Sequence, residues 1–267
     1  MLNEYKDREL FRIDIKHLLE PSLTLTDFSQ ALTDLAEVVI EETYALCRAD
    51  LVNRYGTPRL EEGRPASFAI CGLGKLGGAE LGYASDIELL FVYEGPGQTD
   101  GAEPIDNRVF FEKLAQQITH FITAKQEGIF HIDTRLRPHG NAGVLANPLS
   151  QLTAYYAPTG EAAPFERQAL IKLRWIAGDE ALGQADRGPS RPVRLWGDAV
   201  GFKDRTGVKG ASAERTGSEG KGQREIQRRG TPRYRICGPI SPDRAWPSAS
   251  GAADPAYPLG ARSSSAG

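Results

Sequence analysis

Residues 67–93 read SFAICGLGKLGGAELGYASDIELLFVY, and the fold turns on how the two ends of this stretch are joined. Ser67–Cys71 is a short apolar run of strand type, and Ile87–Tyr93 is a second, rich in aromatic and branched residues. Between them Gly72, Gly74 and Gly77 match the GxGxxG spacing of a dinucleotide-binding turn. Glu94 stands 22 residues past Gly72, near where that motif places its ribose-binding acid. The join is too short for such a fold. A parallel crossover needs about a dozen residues or more, usually as a helix. Only Ala79–Ser85, interrupted by Gly82, separates the glycines from the second strand. A P-loop is excluded as well, because Lys75 is followed by Leu76 rather than Ser or Thr. The stretch therefore reads as strand, glycine turn with one lysine, short helix, strand. Glycines in such a turn let backbone N–H groups approach phosphate oxygens; a tight turn without a ligand is the plain alternative.

Asp86 and Glu88 stand at the start of the second strand with one residue between them, so their side chains share a face. Downstream, Ile129–Leu136 (IFHIDTRL) reads as a third strand closed by Pro138, with Asp133, Arg135 and Arg137 again on one face. Two carboxylates at the lip of a buried strand are hard oxygen donors, the kind Mg2+ takes together with substrate phosphates. A third beside them would let two metals be bridged, and guanidinium groups match phosphate oxygens. Any one of these acids alone reads as a solvated strand end. The glycine turn, the DxE and the later DxRxR together point to a site. His17, His120, His131 and His139 lack metal-ligand spacing and read as structural, with His131 placed to line the site two residues before Asp133.

Working outward, residues 6–20 carry Leu10, Ile13, Leu18 and Leu19 near helical spacing, ended by Pro21. Thr26 or Asp27 can cap a second helix running to about Arg54, with an apolar stripe of Phe28, Leu32, Leu35, Val38, Val39 and Leu46. A polar loop, YGTPRLEEGRP, follows. These first 65 residues read as a helical lead-in of simple packing helices. Beyond the second strand, Phe110–Ile122 is an amphipathic helix, and Pro148–Tyr156 and Phe165–Arg174 are further helices, the last with an option to begin as a strand. The domain reading is 1–65 lead-in, 66–183 catalytic core and 184–267 tail.

The tail stands apart in composition. Leu, Ile, Val and Phe make up only 9 of the 83 residues 185–267, against 13 Gly and 12 Arg. That falls below the roughly 20% expected of a folding chain. Its net charge is +7 while the preceding residues carry −10. A basic nucleic-acid-binding arm would cluster its cations, and here they are scattered among Gly and Pro. A linker or a shifted reading frame are the other readings, and function belongs to residues 1–184. Across the whole 267 residues no apolar run approaches the length of a membrane span. The opening MLNEYKDREL lacks the apolar region of a secretory signal. Cys47, Cys71 and Cys237, an odd count without CxxC spacing, speak against a disulfide framework or zinc site, so a cytoplasmic setting is expected.

GLGKLGGAELGYASDIELLFVY, followed by IDTRLRPHGNAG and FERQALIKLRWIAGD, closely resembles the glutamate–ammonia ligase (glutamine synthetase) adenylyltransferase family over roughly residues 5–183. The resemblance implies an α+β nucleotidyltransferase fold of the DNA polymerase β-like type, a small mixed sheet with flanking helices. It implies Mg2+-dependent transfer of AMP from ATP to a glutamine synthetase tyrosine, or its phosphorolytic removal, in regulation of nitrogen assimilation. It places the acidic triad, catalytic and metal-binding, at Asp86, Glu88 and Asp133. The nucleotide-binding residues would be Gly74, Lys75, Gly77, Gly78, Ser85, Arg135 and Arg137, with Glu166-Arg167-Gln168, Lys172 and Arg174 as the family's later motif. Partners implied are glutamine synthetase and a PII-type signal protein, with no nucleic acid and no membrane. Glu88 departs from the family pattern, which more often has Asp there. ELGY and ERQALIKLR are more similar to the adenylylating head than to the deadenylylating one. The family enzyme usually has two heads, and this chain has room for one. The competing readings are a nucleotidyltransferase for a small molecule and a truncated, inactive nucleotide- or partner-binding module.

Overall fold

The two apolar runs pair antiparallel, Phe68–Gly72 against Ile87–Tyr93, with Phe68 opposite Tyr93 and Gly72 opposite Leu89. This is the geometry that the short join dictates, since seven residues cannot carry a chain back over a sheet to a parallel neighbour. The computed structural model describes residues 1–125 and 130–183; the composition-poor tail lies outside the described residues. The helices are α1 (Leu2–Leu19), α2 (Leu25–Tyr55), α3 (Gly74–Gly77), α4 (Asn107–Phe121), α5 (Leu149–Tyr156), α6 (Pro164–Ala169) and α7 (Glu180–Gly183). The strands are β1 (Pro58–Leu60), β2 (Phe68–Gly72), β3 (Ile87–Tyr93), β4 (Gly97–Thr99), β5 (Ile132–Asp133), β6 (Ala146–Pro148) and β7 (Arg174–Gly178). Helix and sheet are thus mixed, an α+β arrangement.

β3 is the spine of the main sheet. β2 lies antiparallel on one side and carries β7, also antiparallel, beyond it. On its other side β3 takes two short parallel partners in succession, β5 against Ile87 and Glu88, then β6 against Phe91–Tyr93. Both faces are covered, which is why IELLFVY is apolar almost throughout rather than alternating. Ile87, Leu89, Phe91 and Tyr93 join the larger core with Phe28, Val39 and Ile40 of α2 and Phe110, Phe111 and Leu114 of α4. Leu90 and Val92 point the other way, into a smaller core with Cys71, Leu152, Tyr156 and Leu170. A polar contact fixes β6: the Glu112 carboxylate on α4 accepts from the Leu145 and Ala146 N–H groups at 2.9 and 3.1 Å.

Several boundaries differ from expectation. The α2 cap is Thr24, not Thr26 or Asp27. Asp27 sits three residues in and accepts back from the Thr24 N–H at 2.9 Å while its own N–H donates to Thr24 Oγ1, a reciprocal capping box. On α1, Ile13 is buried and Leu10 packs beside it, but Leu18 and Leu19 face solvent. On α2, Cys47 rather than Leu46 joins the core. The loop after α2 contains β1, which pairs with β4. The helix expected over Phe165–Arg174 stops at Ala169, tightens into a 3-10 turn at Leu170–Lys172 and gives way to edge strand β7.

Candidate active site

Of the expected third strand, residues 129–136, only Ile132 and Asp133 are strand; residue 129 lies outside the described residues. Its register is decisive for the acids. Glu88 and Asp133 are Cα partners in the parallel β3–β5 pair, so their side chains leave the same face. Asp86, two residues before Glu88, lies just outside the strand start. This is the face that Leu90 and Val92 continue under α5, so the acids occupy the uncovered end of a half-buried sheet face. Two backbone bonds join the segments that carry them: the Ile87 N–H donates to the His131 carbonyl at 2.8 Å, and the Phe130 N–H to the Ser85 carbonyl at 3.1 Å.

The glycine turn folds directly over this face. Gly74 has φ +49, a left-handed conformation, and a Cβ built there would stand 1.5 Å from Glu88 Oε2. The backbone favours glycine at that position, and any side chain there would displace the Glu88 carboxylate. Gly77 is required for packing, since its Cβ would fall 1.9 Å from the Lys172 carbonyl oxygen. Gly78 meets only side-chain ends, of Glu80 and Lys172, at 3.1 Å. Lys75 is exposed, with its Nζ 3.4 Å from Ser85 Oγ, and buried Ser85 in turn accepts from the Gly82 N–H at 2.9 Å. These contacts link the lysine, the serine and the turn before Asp86.

Asp133 is engaged by Arg135. Its carboxylate accepts from the Arg135 backbone N–H at 2.8 Å and from Nη2 at 2.6 Å, and these hydrogen bonds hold it below the usual carboxylate range despite partial burial. Arg135 is shifted up, first by its hydrogen bonds to Asp133 and then by that charge, with Asp86 and Glu88 adding to the pull. His131 sits with Nδ1 4.0 Å from Asp86 Oδ1 and is exposed, so it lines the acidic face.

Arg137 does not stay on the face expected for it. With the strand ending at Asp133, the chain turns, and Arg137 is buried. Its guanidinium donates to the Thr134 carbonyl at 2.8 Å, to Thr134 Oγ1 at 2.9 Å and to the Gly143 carbonyl at 3.1 Å. Burial pushes its pKa down. It braces the loop rather than facing the acids. The later motif is structural in the same way. Glu166 accepts from Tyr155 Oη and the Ala163 N–H, and Arg167 donates to the carbonyls of Tyr156, Ala157 and Gly160 at the end of α5. Lys172 pairs with Glu80 at 2.6 Å. Arg174 joins the Leu76 and Gly77 carbonyls to Glu37 of α2, a partner that no sequence spacing reveals.

Glu88 and Asp133 leave the same face of adjacent strands, Asp86 stands two residues before Glu88, and Arg135 is drawn against Asp133. The arrangement is an open face rather than a closed coordination sphere, because among the described residues no three acidic, histidine or cysteine side chains gather closely enough to hold a metal ion. Mg2+ commonly takes only one or two carboxylates and completes its shell with water and substrate phosphates, which suits such a face. No helix among the described residues is long and apolar enough to cross a membrane.

A carboxylate-lined sheet end beneath a glycine turn defines a candidate phosphate- and metal-handling site, and comparison with known proteins narrows the class. Residues 1–188 match the family model for glutamate–ammonia ligase adenylyltransferase, and the chain belongs to that family. It is similar to the bifunctional glutamine synthetase adenylyltransferase/adenylyl-removing enzyme of Thioalkalivibrio sulfidiphilus, 41% identical over 181 residues, covering 67% of this chain and 18% of that one. The enzyme of the same name from Pseudomonas syringae pv. tomato is 39% identical over 169 residues, covering 61% and 17%. That of Alteromonas mediterranea is 39% identical over 185 residues, covering 68% and 18%. The chain thus spans less than a fifth of the length of the curated relatives it matches.

Proposed function

We propose that this chain carries a nucleotidyltransferase site of the DNA polymerase β-like type, within residues 66–183, that transfers AMP from ATP to a tyrosine of glutamine synthetase. Family membership supports the reaction class. The single observation that carries the site assignment is the register that sets Glu88 beside Asp133, with Asp86 two residues before Glu88 and Gly74 pressed against the Glu88 carboxylate. The tyrosine oxygen would form a bond to the α-phosphorus as the bond to the β-phosphate oxygen breaks, releasing pyrophosphate and giving up the hydroxyl proton. One or two of the carboxylates Asp86, Glu88 and Asp133 would hold Mg2+ together with substrate phosphates, and the bound ion would neutralise phosphate charge and lower the pKa of the attacking hydroxyl. Lys75 and Arg135 would meet phosphate oxygens. Asp133 is a weak proton acceptor while Arg135 holds it, so its role as base requires Arg135 to turn toward phosphate. A PII-type regulator and a cytoplasmic setting belong to the same proposal.

The test is transfer of label from α-labelled ATP to purified glutamine synthetase by the full chain with Mg2+. Asp86→Asn removes one carboxylate charge and should lower transfer on the order of a thousandfold, the scale of several kcal/mol of lost transition-state stabilisation. Lys75→Ala removes one phosphate contact and should cost less. Undiminished transfer by Asp86→Asn would overturn the site. ATP binding without any transfer by the unmodified chain would favour a nucleotide-binding module instead.

A further inference from the structure

Lys6 lies in the first helix, far from the acids in sequence, yet it is 1% exposed, the most buried cation among the described residues. A buried ammonium is costly unless it is paired. Its Nζ donates to Asp7 Oδ1 at 2.6 Å and stands 5.2 Å from the centroid of the Phe130 ring, a cation–π contact. Phe130 comes three residues before Asp133. Asp7 also pairs with Lys125 at 3.1 Å, and although burial works against its charge, the hydrogen bonds from Lys6 and Lys125 prevail and hold its carboxyl below the ordinary range. One turn earlier, Asn3 Nδ2 donates to the Phe121 carbonyl at 2.8 Å and Asn3 Oδ1 accepts from the Thr123 N–H at 3.1 Å. Three polar side chains of α1, Asn3, Lys6 and Asp7, therefore grip the connection between α4 and β5 on either side of residues 126–129.

That grip matters because β5 holds itself poorly. A two-residue parallel strand contributes little pairing of its own. Downstream, Tyr156 Oη donates to the Leu136 carbonyl at 3.0 Å, and Arg137 pins Thr134. Upstream, Phe130 has φ +57, a conformation that a bulky residue keeps only when its surroundings impose it. Its ring is buried in the larger core, and Lys6 Nζ stands over it.

We propose that Lys6 is a positioning residue for the acidic face: through Phe130 it sets where β5 begins and so where Asp133 stands beside Glu88. The proposal rests on the assignment of Asp133 to the transfer site, and it makes the lead-in helix part of the functional unit rather than simple packing.

The test uses the full chain with Lys6→Met, which keeps the stem and removes the charge. Asn3→Ala is a second variant that loosens the same connection without leaving a buried site empty, and Arg12→Ala is the control on the exposed side of α1. Hydrogen exchange at the Phe130 and Ile87 amides reads the β3–β5 junction directly, and Mn2+ affinity, followed by its electron spin resonance, reads the acids. The expected result is about tenfold faster exchange at those two amides in Lys6→Met and a smaller increase in Asn3→Ala, the scale of losing a desolvated cation–π contact. Amides of the β2–β3 ladder, such as Cys71 and Leu90, should keep their protection. Mn2+ binding should weaken several-fold, and Arg12→Ala should match the unmodified chain. Unchanged exchange at Phe130 and Ile87 in both variants would overturn the proposal. So would a uniform rise across the β2–β3 ladder, which is what a merely structural lysine predicts, or unaltered Mn2+ affinity with the junction open. Where Lys6→Met fails to fold, Asn3→Ala decides by the same criteria. Absence of AMP transfer by the unmodified chain would count against the function proposed above and not against the brace, which exchange reads by itself.

Discussion

Alanine at Gly74, Gly77 and Gly78 in turn separates the two things a glycine turn can do, hold a ligand or permit packing. Gly74→Ala forces a left-handed φ of +49 on a residue with a side chain, at about 1–2 kcal/mol. Alanine recovers about 0.4–1 kcal/mol by restricting the unfolded chain. Its Cβ also overlaps Glu88 Oε2, at 1.5 Å, but that oxygen is the end of a flexible side chain and can swing away. The net stability loss is then about 1 kcal/mol, or roughly 2–4 °C in Tm for a domain of this size. The displaced carboxylate is the greater consequence. Misplacement of a catalytic group by about 1 Å costs on the order of a hundredfold, so Gly74→Ala should lose transfer activity while remaining folded. Gly77→Ala behaves in the opposite way. Its Cβ meets backbone on both sides, the Lys172 oxygen at 1.9 Å and the Gly72 oxygen at 2.8 Å, and neither can move alone. The loss should reach about 3 kcal/mol or more, at the upper end of overpacking costs. Gly78→Ala touches only mobile side-chain ends and should stay within about 0.5 kcal/mol. Thermal unfolding by circular dichroism, paired with the label-transfer assay, ranks the three. If Gly78→Ala proves as destabilising as Gly77→Ala, the packing account of the turn is wrong. If Gly74→Ala transfers AMP at the unmodified rate, the position of the Glu88 carboxylate is irrelevant to the chemistry.

Arg137→Ala strips the Gly143 carbonyl and Thr134 Oγ1 of their guanidinium donor, while the Thr134 carbonyl keeps the residue 137 backbone N–H at 3.2 Å, and a buried group left unpaired costs about 1–3 kcal/mol. The prediction is a lower urea midpoint with little change in ATP affinity, and a variant of unchanged stability that fails to bind ATP would restore Arg137 to the nucleotide site. The acid limb of stability should depend on Asp100, whose carboxylate is held below its ordinary range first by Arg59 Nε at 2.6 Å and then by the Thr57 N–H at 2.7 Å. A depressed carboxylate stabilises the fold above its unfolded pKa, about 3.9, and that contribution fades as pH falls through the folded value. Asp100→Asn should therefore flatten the decline of Tm below about pH 4, and an unchanged slope would refute the pairing.

Legibility in the sequence followed the strength of local pattern. IELLFVY could be bounded to the residue because it is apolar on both faces and ends in a glycine-rich turn. The short join before it excluded a parallel crossover without any coordinates, and the DxE spacing placed two acids on one side. Thr24 was missed because TLTD offers three capping residues within four positions, and side-chain reciprocity with Asp27 decides among them. β7 was hidden because FERQALIKLR has helical spacing up to the point where Leu170 tightens the turn. Alternation extended to residue 137 puts Arg135 and Arg137 on one face with Asp133, but the strand stops at Asp133 and Arg137 is buried in the turn that follows. The lead-in read as plain packing because the contacts of Asn3 and Lys6 span more than a hundred residues, beyond any period a sequence displays.

The dependence of β3 on partners from two distant parts of the chain has a consequence for how the molecule assembles. Only the glycine turn with α3 and the segment up to Asp86 separate β2 from β3, so their pairing closes a small loop early at little entropic cost. The strand that brings Asp133 lies some 45 residues further along, and edge strand β7 further still. At about 5–20 residues per second on the ribosome, Asp133 follows Glu88 by roughly 2–9 seconds. Through that interval the nascent chain holds a finished hairpin with a bare β3 edge and two acids at its mouth. The charges at Asp86 and Glu88 then serve a purpose unrelated to phosphate: they mark the open end of an otherwise apolar strand as a poor template for a neighbouring chain.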